Sequence, residues 1–359
     1  GESLGLLVEE QRTNSIRNNT MVGAVAGTPG TLPTNWIIGG SGVGTLSRTV
    51  SVGEQSGVPY VDVRYFGTTS TINFIFAFEP ATQIAALTGQ TWTQSIYIAL
   101  AGGSTANINQ IRHDLVERTS VGGSVLQNFS ADLKSSLSNS LVRSTYSATL
   151  SGGATIAFLQ PSIEVSFASG VAIDITLRIG LPQLEQGAFA TSVIPTTTAA
   201  VTRSADVASI TGTAFSSWYR QDEGTVFAEA KRDYAVPSGP FPRVYQIQGA
   251  TGNNRIEQSY YSGGQVNFIA TSGVTQAEWY PAYFIQNGVK SAQALAANNV
   301  AGISNGVVTG TDSSVTLPTV QQIQIGAETA STNHLNGTIR RLVYWGQRLP
   351  NATLQAITQ

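Results

Sequence analysis

Val171-Ala172-Ile173-Asp174-Ile175-Thr176-Leu177-Arg178-Ile179 is apolar at every odd-numbered position, with Asp174, Thr176 and Arg178 between. A period of two is the signature of a half-buried β-strand. Val171, Ile173, Ile175, Leu177 and Ile179 then share the core face. A slip of one residue would bury Asp174 and Arg178, so the register is well specified.

The same alternation extends outward from this stretch. In Tyr60–Phe66, Val61, Val63 and Tyr65 alternate with Asp62 and Arg64; in Thr71–Phe78, Ile72, Phe74, Phe76 and Phe78 share a face. Thr91–Leu100 sets Trp92, Ile96, Ile98 and Leu100 on one side. Gly- and Ser-rich clusters such as Ala101–Ala106 and Ser151–Gly153 read as turns. Ile194-Pro195-Thr196-Thr197-Thr198 reads as an extended connector. Beyond it strands are expected at Gly224–Ala230, Arg243–Gln248, Arg255–Tyr261, Gln265–Ala270, Trp279–Gln286, Val320–Gly326 and Ile339–Trp345. Helix is confined to short turns near Thr82–Leu87 and to the C-terminus, where Pro350-Asn351 precedes apolar spacing at Leu354 and Ile357. The expected fold is all-β, two antiparallel β-sandwiches in tandem. The boundary falls near residue 205, giving domains 1–205 and 206–359, each long enough to bury its own core.

Composition narrows the function. The 359 residues contain no cysteine, which removes disulfides and thiolate metal sites. Charged residues are 11% and the net charge is −2, so there is no electrostatic case for binding nucleic acid or an anionic membrane. No apolar run approaches the ~20 residues of a membrane-spanning helix. Hydroxyl and amide side chains dominate the polar surface, and these hydrogen-bond sugars well. The start, Gly1-Glu2-Ser3, has no signal pattern and reads as the beginning of a fragment or processed product.

Two segments bracket the first half: Leu6–Asn14 (LLVEEQRTN) and Pro182–Ser192 (PQLEQGAFATS). Together they resemble a module of phage tail fibres, head spikes and related adhesion proteins, itself similar to the jelly rolls of carbohydrate-binding modules. The second half carries Phe215–Tyr219 (FSSWY), Glu223–Glu229 (EGTVFAE), His334–Trp345 (HLNGTIRRLVYW) and Arg348–Ala352 (RLPNA). It resembles the concanavalin-like, laminin-G-like lectin domains that follow that module in spike proteins. The resemblance implies jelly-roll sandwiches, a virion-surface setting outside the cell, and other spike or fibre proteins as partners. It also implies a homo-oligomer, a trimer before a dimer. Trp218-Tyr219 and Tyr344-Trp345 match family positions that look structural.

The chain is expected not to be an enzyme. Its two histidines, His113 and His334, accompany no Gly-x-Ser-x-Gly elbow and no cysteine, and offer no zinc spacing. The adjacent pairs Glu9-Glu10 and Asp222-Glu223 point to opposite faces of a strand and suit a glycosidase poorly. Structural calcium has weak candidate ligands in Glu9, Glu10 and Asp174, on first and last strands expected to neighbour each other. The reading carried furthest is attachment to bacterial surface polysaccharide, capsule or lipopolysaccharide. Candidate contacts are Trp36 beside Asn35, Tyr260 and Tyr261 beside Gln258, and Trp279 and Tyr280 beside Glu278. Of two adjacent aromatics on a strand only one can face solvent. A purely architectural spike domain and a polysaccharide depolymerase are the alternatives.

Overall fold

The computed structural model describes residues 4–39, 45–234, 241–329 and 332–359. It is nearly all β, in antiparallel sheets. The chain forms two compact units: Arg12–Arg203, and Gly1–Gln11 together with Ser204–Gln359. The opening strand β1 (Leu6–Val8), which the motif reading places at the start of the first half, belongs to the latter unit.

In the unit Arg12–Arg203 the strands run β2 (Arg12–Asn14), β3 (Ile37–Gly39), β4 (Ser47–Gln55), β5 (Val58–Thr68), β6 (Asn73–Ala77) and β7 (Thr91–Gly103). They continue as β8 (Ile108–Arg118), β9 (Ser124–Phe129), β10 (Val142–Thr149), β11 (Phe158–Phe167), β12 (Ala172–Gln186) and β13 (Val201–Arg203). One sheet has the order β10-β7-β12-β5-β4 and the other β3-β6-β11-β8-β9. The alternating stretch at Val171–Ile179 lies in β12, at the centre of the first sheet. There Ile173, Ile175, Leu177 and Ile179 reach the core beside Val61, Val63 and Tyr65. Phe74, Phe76, Ile111, Leu115, Ile163 and Val165 answer them from the second sheet. Strands β2 and β13 form a two-stranded ribbon with Arg12 opposite Arg203.

The other unit contains β14 (Ala208–Thr211), β15 (Glu223–Lys231), β16 (Arg243–Gln248), β17 (Arg255–Tyr261), β18 (Gly264–Thr271) and β19 (Val274–Trp279). It continues with β20 (Val289–Ala296), β21 (Val300–Ser304), β22 (Val307–Asp312), β23 (Gln322–Ile325) and β24 (Gly337–Trp345). Two six-stranded sheets result, β1-β24-β15-β20-β21-β22 and β14-β23-β16-β17-β18-β19. A short helix α1 (Gly212–Ser216) brings Phe215 against Trp218 and Tyr219, and Tyr219 stacks on Tyr344 at 5.2 Å. The C-terminal helix α2 (Asn351–Ile357) seats Leu354 on Phe227, Ala292, Ala294, Ala301 and Ile303.

Thr82–Leu87 is not helical. Its backbone hydrogen-bonds instead to the chain around β11, with Leu159 donating to Ile84 and Ala86 donating to Ala157. The strand expected at Trp279–Gln286 ends at Trp279, because Pro281 follows and a proline has no N–H to offer a ladder.

Candidate functional site

Strands β16 to β19 put two different faces to work. Ile247, Ile256 and Ile269 point into the core, as do Tyr260 and, partly, Trp279. Gln246, Glu257, Phe268 and Glu278 stand opposite one another in register on the reverse, outer face. Tyr261 follows on that outer face by alternation, and Tyr280, just past the end of β19, joins it through its hydroxyl's bond to Glu278.

There the rings form an exposed cluster. Tyr261 meets Tyr280 edge-to-face at 5.6 Å and stacks against Phe241 at 6.4 Å. Tyr280 is 51% exposed and Phe241 42%. Exposed aromatics gathered on one sheet face, rather than scattered singly, mark an interaction surface.

A fixed polar strip adjoins the rings. Glu257 is buried, with Oε2 3.3 Å from Arg243 Nε and 3.1 Å from Arg255 Nε. Burial pushes its carboxyl up, while Arg243 and Arg255 oppose the shift. Arg243 also donates to Gln246 Oε1 at 3.2 Å and to the Phe241 carbonyl at 2.6 Å. It lies 3.4 Å from Glu328 as well. The Tyr280 hydroxyl donates to Glu278, and that bond raises the phenol to about 12. Arg255 lies over the Phe268 ring at 4.4 Å. Glu257, Arg243 and Gln246 are buried, and the polar groups that reach solvent beside the rings are Glu278, bonded to Tyr280, and Arg255, held by Glu257. Such a surface can take a flat, hydroxyl-rich ligand by stacking and directed hydrogen bonds.

The remaining expected site residues fall elsewhere. Tyr260 is fully buried, its hydroxyl accepting from Gln258 at 3.3 Å, so it cannot meet a ligand. Trp279 lies between the sheets over Gly302 and Gly310 and packs against the core. Trp36 is 7% exposed and set edge-on against Phe78, in the other unit, with Asn35 preceding it.

The carboxylates considered for calcium belong to different units and have other partners. Strand β1 pairs with β24, whereas Asp174 on β12 lies opposite Phe66 in the other unit. The Glu9 backbone N–H donates to Asp206, Glu10 exchanges hydrogen bonds with Asn336, and both Asp174 oxygens accept from Arg64. Among the described residues no group of three His, Cys, Asp or Glu side chains comes together as a metal site. His113 is a core residue, bonded to Ser144 Oγ at 2.9 Å, and burial holds its imidazole down at about 4.

Sequence reading reached Tyr261, Tyr280 and Glu278 but not Phe241, Arg243, Gln246 or Glu257. The period-two set Arg255, Glu257, Ser259, Tyr261, opposite in phase to Ile256 and Tyr260, was the available signal.

No protein-family model and no curated protein matches the chain. Among solved structures it is similar to the Ruminococcus gnavus IT-sialidase CBM40 bound to α2,3-sialyllactose, at 14% identity over 39% of this chain and 84% of that one, TM-score 0.33. It is also similar to mouse laminin α1 chain domains LG4-5, at 11% identity over 82% and 91% of the two chains, TM-score 0.28. A CBM4 structure matches at 17% identity over 43% and 96%, TM-score 0.26. The structural neighbours thus include carbohydrate-binding modules and laminin-G domains.

Proposed function

We propose that this chain attaches a phage or phage-like particle to a bacterial surface by binding surface polysaccharide, capsule or lipopolysaccharide, on the outer face of β16 to β19. The observation that carries the reading is the exposed Phe241–Tyr261–Tyr280 cluster beside Glu278 and Arg255, the latter fixed by the buried Glu257. Sugar rings present C–H faces to aromatics and hydroxyls to fixed polar groups, and a shallow sheet face supplies both at once. The virion-surface, extracellular setting and the spike or fibre partners rest on the motifs Leu6–Asn14 and Pro182–Ser192. The protein works as a homo-oligomer, a trimer in preference to a dimer, and binds without cleaving.

Titration of the oligomer against host polysaccharide tests this, with Tyr261→Ala and Tyr280→Ala as variants. Each is expected to weaken binding about tenfold, corresponding to about 1.4 kcal/mol per lost stacking contact. Host adsorption should fall in parallel, with no reducing ends released. Unaltered binding by both variants would refute the site, and absence of binding to any host glycan would leave an architectural spike domain. Light scattering decides the oligomer.

A further inference from the structure

A second recess lies on the unit Arg12–Arg203. Residues Gly30–Ile38 and Arg48 of β4 line a groove of about 650 Å³. That volume is within the usual range for small-ligand clefts. Asn35, at φ 74°, turns the chain there and sets Trp36 into the groove's wall. The Trp36 indole N–H is buried and has no acceptor, a costly state for a donor that normally finds one.

Arg48 supplies the charge. Its Nε and Nη2 donate to the carbonyls of Pro29 and Gly30 at 3.1 and 3.0 Å, which fixes the guanidinium at the groove. Carbonyls orient the group without neutralising it. In this unit Arg17, Arg64, Arg112 and Arg178 each pair with a carboxylate, and among the described residues Arg48 joins no ion pair. A positioned, uncompensated guanidinium is a ready partner for an anion, and its planar fork suits a carboxylate best. Thr31 and Thr34 are exposed on the same wall, and Ile37, 41% exposed, offers apolar surface.

We infer that this groove binds a carboxylate-bearing sugar residue, with the carboxylate on Arg48 and the ring lying along Ile37. It is a site separate from the aromatic face of β16 to β19 and does not depend on it. The same chemistry occurs in uronic acids and in nonulosonic acids, and the experiment separates them.

The full chain is titrated with sodium glucuronate, N-acetylneuraminate, glucose and acetate while the Trp36 indole ¹H–¹⁵N resonance, assigned with Trp36→Phe, is followed. One of the two acidic sugars should shift it saturably, and which one does so names the source. Glucose and acetate should be at least about tenfold weaker, since each lacks half of the recognition. Arg48→Gln should abolish the shift while leaving polysaccharide binding through Tyr280 intact, so the two sites fail separately. Should Arg48→Gln lose its fold, raising salt from about 50 to 500 mM must weaken the acidic sugar on the parent protein and leave glucose unaffected. Equal response to acetate, equal response to glucose, or no response to either acidic sugar overturns the assignment.

Discussion

His113 and its neighbour Asp114 are both fully buried on β8, and burial drives them in opposite directions. The imidazole is pushed down from 6.5 to about 4 and the carboxyl up from 3.8 to about 7. Asp114 keeps one hydrogen bond, from Gln127 at 3.0 Å, and its Oδ1 has none. For His113 the unfolded chain binds the extra proton between about pH 4 and 6.5, so its contribution to stability grows as pH rises through that window. For Asp114 the folded chain binds it between about pH 4 and 7, so stability declines over nearly the same window. The two slopes largely cancel in the parent. Asp114→Asn removes only the second, and its urea-unfolding stability should climb with pH from 4 to 6.5. At pH 8.5 the variant should exceed the parent by roughly 2–4 kcal/mol, since a buried carboxylate no longer has to ionise. A variant profile that runs parallel to the parent's would show instead that Asp114 is already ionised in the fold. Sequence alone offered no sign of this, because a polar His-Asp pair inside a strand reads as either solvated or structural until the covering residues are known.

At the scale of elements, alternation was legible in β5 and β12, each with one wet face. It gave no reading of β20 and β21. β20 and β21 carry Ala292, Ala294, Ala301 and Ile303 under α2 on one side. On the other they present Ser291, Gln293, Gly302 and Ser304 to the opposite sheet. Small and amide residues on both faces give no period. The inward amides are bonded across the sandwich, Gln293 Nε2 to Asn267 Oδ1 at 3.0 Å and Ser304 Oγ to Gln265 Oε1 at 2.8 Å. Asn267→Leu should therefore cost about 1–3 kcal/mol by leaving Gln293 short of a partner. Asn267→Leu with Gln293→Leu should recover part of that, a non-additivity visible in a double-mutant cycle. The glycines of β21 and β22 have a plainer reason. A Cβ on Gly310 would sit 1.8 Å from Trp279 Cδ1. Gly310→Ala should displace the indole and lower the stability of this unit by about 1–3 kcal/mol in thermal unfolding. Two of the three rings, Tyr261 and Tyr280, were legible in the sequence: pleating dictated that Tyr261 could not share a face with Tyr260.

For the whole molecule, chain order and spatial unit part company. The motif Leu6–Asn14 is continuous in sequence, yet β1 pairs with β24 and β2 with β13. No periodicity carries that information, because strand pairing across more than 300 residues leaves no local trace. Removing residues 1–11 should accordingly lower the unfolding temperature of the unit Ser204–Gln359 and leave that of Arg12–Arg203 unchanged. Calorimetry of the truncated chain checks this, with two resolved transitions expected. Loss of the Arg12–Arg203 transition instead would contradict the division.

Because Arg12 lies directly across from Arg203 in the ribbon β2–β13, the segment between them leaves and rejoins the rest of the chain at a single doorway. An element bounded in that way behaves as a cassette. A recombination event with one breakpoint on each side of the ribbon could replace it with an unrelated sandwich, while β1 keeps its place beside β24. The two units can then diversify on independent evolutionary clocks.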